Sequence, residues 1–368
     1  MSTSAYFLAV YFFILFGYLA VLIFLLLNLK KDKPATEPSD YPFISILVAA
    51  RNEESTILSC IQSLAVLSWP ADKLEILIGN DQSTDKTESI VLDFIKDKNN
   101  FRLIEINQNK GNAKGKANVL AMLAQEAKGD FFFITDADIK VPQKWIQSLL
   151  SNYKEGIGIV SGATIAEGND LFHYCQRLDW IYAFGMIKVV SDHNIPVSAV
   201  GNNMMISRNA YQSTGGYETI PFSLTEDLQL FLETLKKGWH YKNLMSPDCL
   251  AVTKPIESLS TLLSQRKRWM QGAVKLPFIL LFCLFIQALF LPFILTTLCM
   301  FPIIGIYIWI LKIAMQQFFM LLSFRKINKN YSVIKGVLVF EIYSGLLSIL
   351  VLATYLLPIK IKWKDREY

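Results

Sequence analysis

The chain has 368 residues, of which 52% are hydrophobic, with a formal net charge of +5 and a mean hydropathy of +0.34. That is too apolar for an ordinary soluble protein of this size, so part of it belongs in lipid. The positive charge sits largely beside apolar runs, which points to lipid headgroups and membrane topology and away from nucleic acid; no nucleic-acid module is present. Five cysteines without a CxxC pair or matching His spacing give neither a zinc site nor a disulfide framework.

The first element is an uncharged run from Tyr6 to Leu29, which as a helix reaches roughly 36 Å against a hydrocarbon core of about 30 Å. It lacks a basic leader and a small-residue cleavage site, so it reads as an uncleaved span. The cluster Lys30-Lys31-Asp32-Lys33 that follows favours the cytosolic side, with the N-terminus outside.

Beyond the linker Pro34 to Pro42, short β-branched runs alternate with helical stretches. Strands are predicted over Phe43 to Ala50, Leu74 to Gly79, Phe101 to Ile106 and Asp130 to Thr135, with helices over Glu54 to Leu67 and Lys116 to Ala127. This alternation implies a doubly wound, mostly parallel sheet, whose ligands sit beyond the carboxyl ends of the strands. Three of those ends carry acids: Arg51-Asn52-Glu53-Glu54, Asp81 to Asp85, and Asp136-Ala137-Asp138.

Asp136 and Asp138, at i and i+2, can turn oxygens toward one hard divalent cation shared with substrate phosphates. A solvated turn or an N-cap for a helix near Gln143 would also use them. Loop capping is the corresponding alternative for Asp81 and Asp85, and a favourable place in a helix's first turn for Glu226 and Asp227. Gln265, Arg268 and Trp269 at i, i+3 and i+4 share one helix face, where membrane-interface anchoring is the alternative role.

Asp81, Asp136-Ala137-Asp138, Thr225-Glu226-Asp227 and Gln265-Arg266-Lys267-Arg268-Trp269 occur in the order and approximate spacing of the D, DxD, TED and QxxRW motifs. On these, the region Ile44 to Gly272 resembles glycosyltransferase family 2, in the membrane-integrated branch of cellulose, hyaluronan and poly-N-acetylglucosamine synthases. The resemblance implies an α/β GT-A fold, Rossmann-like with a mostly parallel sheet, working in the cytosol between N- and C-terminal transmembrane helices. It implies an inverting transfer from a nucleotide sugar, UDP-linked by expectation, assisted by Mg²⁺ or Mn²⁺.

By the same resemblance Arg51, Glu53 and Asp81 bind the nucleoside, although the usual Asp-Asp-Gly-Ser reads Asn80-Asp81-Gln82-Ser83 here. Lys116, in a Gly-Lys-Ala loop with Lys114 as its solvated neighbour, supplies a point charge to the nucleotide. Asp138 with Asp136 holds the metal, Asp227 is the general base beside Glu226, and Gln265, Arg268 and Trp269 meet the diphosphate and acceptor. Arg266 and Lys267 are then left for lipid contact. Gly201-Asn202-Asn203-Met204-Met205 and Gly215-Gly216-Tyr217 also look like acceptor-side loops of the family, but read at least as well as turns and receive no role. Trp180, Tyr182 and Phe184 read as helix core rather than a sugar platform.

Leu276 to Ser323 is long enough for two further spans with a turn near Met300 to Gly305, broken by the single charge Lys312. A third candidate, Val333 to Leu357, carries Lys335 and Glu341, and a central carboxylate costs about 2.5–3.5 kcal/mol on insertion. One full crossing there would leave the basic tail Lys360, Lys362, Lys364 and Arg366 outside, against the positive-inside rule. A re-entrant or interfacial last segment, a different division of the preceding stretch, or a tolerated tail would each answer this.

The expected organisation is therefore 1–33 as an N-terminal span and flank, 34–255 as the glycosyltransferase domain, 256–275 as an interfacial helix, and 276–368 as two or three spans and a tail. The expected place is the inner or plasma membrane. The acceptor is a saccharide or a lipid: a polymer path would make the enzyme processive and call for a partner subunit for export, while lateral lipid entry would make it a single-transfer enzyme. A catalytically silent nucleotide-sugar-binding subunit need not keep base and metal ligands together. A transporter would carry more ionisable groups in its spans.

Overall fold

The computed structural model describes residues 3–330, 332–357, 362–363 and 366–367. An apolar helix α1 (Thr3–Asn28) leads into β1 (Ile44–Ala50), α2 (Ile57–Ala65), β2 (Leu74–Asn80), α3 (Thr87–Ile95), β3 (Phe101–Glu105), α4 (Lys116–Glu126) and β4 (Phe131–Asp136). The chain continues through β5 (Ile139–Lys140), α5 (Trp145–Leu150), β6 (Ile157–Ser161), β7 (Thr164–Ala166), the long α6 (Leu171–Asp192), β8 (Asn203–Ser207), α7 (Arg208–Thr214), α8 (Glu226–Lys236), β9 (His240–Asn243) and β10 (Ala251–Thr253). It closes with α9 (Leu259–Ala273), α10 (Phe278–Met300), α11 (Pro302–Lys326), α12 (Val333–Leu356) and the short pair β11 (Lys362–Trp363) and β12 (Arg366–Glu367).

The main sheet has the order β3-β2-β1-β4-β8-β6-β9, and only β8 runs against its neighbours, so the sheet is mostly parallel as expected. β1 and β2 are mostly apolar and buried along nearly their whole length because helices cover both faces of the sheet at its centre. A second, three-stranded sheet, β5-β10-β7, sits next to the end of β4. The helix expected from Glu54 starts at Ile57, because Glu54 instead ties two loops together. Its amide donates to Asp85 Oδ2 at 3.0 Å, and its carboxylate accepts from the Lys86 amide at 3.1 Å.

Four helices, α1, α10, α11 and α12, are long and apolar enough among the described residues to cross a bilayer. They share one core with α6, where Tyr182 meets Phe319 and Phe340 with ring centroids 5.8 and 5.9 Å apart. The exit from α1 is pinned to the same helix. Asp32, within the basic cluster, is almost fully buried; it pairs with Lys188 at 2.8 Å and accepts the Met245 amide at 2.6 Å.

The carboxylate that makes the third C-terminal candidate costly on its own is not alone. Glu341 forms a buried ion pair with Lys312 and accepts the Trp309 indole N–H at 3.0 Å. The only charges inside α11 and α12 away from their ends thus neutralise each other across the two helices, which fixes their register.

Both ends of α12 are bonded to helices that precede α10. Tyr174 on α6 donates to the Ser332 carbonyl at 3.0 Å, and Lys267 on α9 donates to the Leu357 carbonyl at 2.8 Å. The arrangement ties the last apolar segment, a single helix of 24 residues, to the rest of the protein at both ends. It also corrects one expectation: Lys267 is buried and caps α12 rather than meeting lipid headgroups. In the basic tail, Lys360 and Lys364 lie outside the described residues, as do the side chains of Lys362 and Arg366 and that of Lys335.

Replacing only one partner of this interhelical pair strands a buried charge. Glu341→Gln or Lys312→Met alone is expected to destabilise the detergent-solubilised protein by about 3–5 kcal/mol, whereas Lys312→Met with Glu341→Leu recovers most of that loss. Thermal unfolding of the three variants checks this, and equal losses in all three would contradict it.

Candidate active site

The parallel half of the sheet delivers its strand ends to one place. Arg51 follows β1 and donates through Nη1 to the Asp81 carbonyl at 2.7 Å, with the Asp81 carboxylate 4.0 Å away. Asp81 follows β2 and is 8% exposed. Glu53 stands in the next turn, its amide donating to Thr87 Oγ1 at 2.7 Å and its carboxylate accepting from Thr56 Oγ1 at 2.8 Å. Loop capping falls to Asp85, which accepts from the Thr87 amide and hydroxyl and from the Glu54 amide; these bonds outweigh the effect of burial and lower its pKa.

Asp136 ends β4 and Asp138 opens β5. Neither caps the following helix, which begins at Trp145 with Lys144 before it and no side-chain cap. Asp138 Oδ2 accepts from Thr253 Oγ1 of β10 at 3.0 Å, so the second sheet aims this carboxylate. No third His, Cys or acid joins the pair in a metal-like group among the described residues. Two carboxylates beside an open cavity suit a cation that takes its remaining ligands from a substrate diphosphate and water, as Mg²⁺ does, rather than an all-protein cage.

Lys116 starts α4 after Gly115, which takes φ +55°. Its ammonium lies 2.5 Å from Asp136 Oδ1 and 3.0 Å from Glu226 Oε1, joining β4 to the first turn of α8. Burial acts to lower the Lys116 pKa, but Asp136, Glu226 and Asp227 overcome it and the pKa rises. For Glu226, burial acts to raise the pKa, and Lys116 and Arg268 reverse this to a net lowering. Asp227 ends up raised, first by burial and then by the Glu226 charge, against the pull of Lys116 and of the Leu228 and Gly201 amides. The two neighbouring acids are thereby split: one is held as a carboxylate and the other is moved toward the range of a useful base. Lys114, by contrast, is exposed near Phe222.

The helix carrying Gln265, Arg268 and Trp269 is α9. Gly272 lets it approach α8, because a Cβ there would fall 3.0 Å from both Thr225 Cβ and Leu228 Cδ2. Arg268 Nη1 lies 3.4 Å from the Leu224 carbonyl and its charge acts on Glu226. Trp269 packs edge-on against Trp180 at 5.6 Å and lies under the Arg266 guanidinium at 4.2 Å. Arg266 also pairs with Asp179 at 2.6 Å. Arg266, expected to contact lipid, therefore locks α9 to α6 through the Asp179 carboxylate and the indole face of Trp269.

All eleven candidate residues, Arg51, Glu53, Asp81, Lys116, Asp136, Asp138, Glu226, Asp227, Gln265, Arg268 and Trp269, line one cavity of about 1370 Å³. The cavity does not end at the polar groups. It continues between Leu22 and Phe24 of α1, Met186 and Ile187 of α6, Phe282 of α10 and Val351 of α12. Sequence patterning gave no hint of Thr253. Nor did it mark the Tyr217 hydroxyl, buried without a partner and within the field of Glu226 and Asp227, its pKa raised mainly by burial.

Glycosyl transferase family 21 matches residues 9–368. The chain is 25% identical over 236 residues to beta-monoglucosyldiacylglycerol synthase of Synechocystis sp., covering 63% of this chain and 48% of that one. It is 27% identical over 244 residues to poly-beta-1,6-N-acetyl-D-glucosamine synthase of Staphylococcus aureus, covering 65% and 57%. The chain thus spans about half the length of these curated relatives. Its fold is similar to that of a mannosyltransferase from Pyrobaculum calidifontis, solved with GDP-Man and Mn²⁺. The TM-score is 0.60 at 16% identity, with 95% of this chain and 97% of that one covered.

Lys116→Met leaves the buried Glu226 carboxylate, and the partly exposed Asp136, without their ammonium, at an expected cost of about 3–5 kcal/mol near neutral pH, carried by Glu226. Glu226, held below its ordinary value, adds stability above the usual Glu range, and that stability is lost as the pH falls through the lowered value. The gap between wild type and variant should therefore shrink in acid. Thermal unfolding from pH 7 down through the lowered Glu226 value measures it, and a gap independent of pH over that whole range would contradict the assignment.

Proposed function

The chain belongs to glycosyl transferase family 21, and from that premise we propose that this glycosyltransferase moves one sugar from a UDP-sugar, with inversion, onto a hydroxyl of a lipid acceptor. The observation that carries the choice of acceptor is the continuity of the cavity. Its polar end gathers the acids and Arg268, and its other end runs between helices with the length and apolar content of membrane spans. An acceptor with a hydroxylated head and a hydrocarbon tail matches both halves, and it reaches the site sideways from the bilayer.

In this reading the catalytic part faces the cytosol, and Arg51, Glu53 and Asp81 receive the nucleoside, with the Asp81 carboxylate accepting the uracil imide hydrogen. Arg268 takes the diphosphate in a fork of hydrogen bonds, and Lys116 shares its charge between the acids and the nucleotide. Asp227 removes the proton from the acceptor hydroxyl. The freed oxygen bonds to the anomeric carbon on the face opposite the diphosphate, and the sugar–phosphate bond breaks. A Mg²⁺ or Mn²⁺ held by Asp138 with Asp136 would offset the charge gathering on the departing diphosphate. Glu226, kept ionised by Lys116 and Arg268, keeps the Asp227 pKa high.

The relatives lend support. Both curated names specify a β-linked product, as inversion of an α-linked donor requires, and one of them is a diacylglycerol glycolipid. Trp269 serves here as a wall of the acceptor site, since its ring is already engaged by Arg266 and Trp180.

Membranes containing the protein, incubated with labelled UDP- and GDP-sugars and Mg²⁺ or Mn²⁺, are expected to yield a single chloroform-soluble product from a UDP-sugar. A ladder of lengthening products would refute the single-transfer reading in favour of polymer synthesis. Asp227→Asn should abolish turnover, by about 10³-fold or more for a general base acting in a buried site, while nucleotide binding stays near wild type. Retained turnover would remove Asp227 from that role.

A further inference from the structure

Two backbone amides hold the Asp227 carboxylate. Leu228 N–H donates to Oδ1 at 2.8 Å, a bond local to α8. Gly201 N–H donates to Oδ2 at 3.0 Å, from the segment that enters β8. Gly201 is buried, and a Cβ at this position would lie 2.7 Å from Oδ2 and 2.9 Å from Cγ of Asp227. Any other residue would push the carboxylate off the amide.

The segment has little freedom to adapt. Thr135 Oγ1 donates to the Asn202 carbonyl at 3.0 Å, and Thr135 immediately precedes Asp136 on β4. Thr164 Oγ1 donates to Asn202 Oδ1 at 2.9 Å. Asn203, fully buried, donates to the Ala163 and Cys249 carbonyls at 2.8 and 2.9 Å and accepts the Trp145 indole N–H at 2.7 Å. Breaking such a satisfied buried network to move one amide would leave several groups without partners.

We propose that Gly201 is a positioning residue for proton transfer: its amide, clamped through Asn202 and Asn203 to the strand that carries Asp136, aims the Asp227 carboxylate and favours its ionised form. This rests on the reading of Asp227 as general base. One rigid segment then sets the base in register with Asp136 at the end of β4, so that the proton acceptor and the leaving-group side of the site move together. An N–H bonded to a carboxylate favours the charged state, here opposing burial and the Glu226 charge. Without it, Asp227 shifts toward the protonated form, which cannot accept a proton.

The test uses the full-length protein in detergent or membranes, with the donor that turns over in wild type. Gly201→Ala is expected to lower kcat by about 100-fold, the scale of a misplacement near 1 Å, with donor KM little changed. The acid limb of kcat/KM against pH should move upward by about one unit, since the base now ionises at higher pH. Wild-type kcat with an unmoved acid limb would overturn the proposal. If Gly201→Ala loses its thermal unfolding transition, Thr135→Val carries the test. It removes one clamp without changing side-chain shape, so a smaller drop in kcat with the acid limb displaced in the same direction supports the proposal, and an unmoved limb overturns it. Asp227→Asn separates the two levels. Turnover in that variant ends the base assignment itself, whereas a dead Asp227→Asn beside an unperturbed Gly201→Ala ends only the role of Gly201.

Discussion

The contacts of Lys116 with Asp136 and Glu226 are the point on which the rest of the site depends. Buried carboxylates cannot stay ionised unless opposite charge sits beside them, and here one ammonium serves two elements distant in the chain, the end of β4 and the start of α8. With Arg268 acting from α9, two cations face Asp136, Glu226 and Asp227 at the polar end of the cavity. The split between Glu226 and Asp227 follows from the same arrangement: the acid that has the partner keeps its charge, and burial together with that charge raises its neighbour.

A second constraint joins this centre to the apolar helices. α6 belongs by sequence to the α/β part, yet its buried face forms a common core with α1, α11 and α12. α9 is fastened to α6 by Arg266 and Asp179, and to the end of α12 by Lys267. The walls of the cavity are therefore continuous from the strand ends to the helices, and displacement of α9 would be felt at Arg268 and at α12 alike. Buried polar ties of this kind specify an arrangement more than they stabilise it.

Much of this was legible in the sequence because the signals were long or repeated. Long apolar runs marked the central strands and all four long helices within a few residues, and four spaced motifs identified most of the polar residues proposed for the site that line the cavity. What stayed hidden depends on pairing across the fold. Lys267 and Arg266 read as interfacial basic residues, since nothing local discloses that a carbonyl of α12 and a carboxylate of α6 await them. Glu341 read as a cost until Lys312 was found opposite it. Gly201 read as a turn glycine, because the reason for it is the carboxylate it approaches, 26 residues on. Family motifs mark groups that line the cavity; the groups that aim them are ordinary residues defined only by contact.

The coupling carried by Lys116 is most directly measured by a double-mutant cycle of Lys116→Met and Glu226→Gln, followed by thermal unfolding near neutral pH. If the ammonium is what keeps Glu226 charged in a buried place, the two changes are strongly non-additive, with an interaction energy of about 2 kcal/mol. Additive losses would mean that the two side chains do not depend on each other, and the centre described here would have to be built on another interaction.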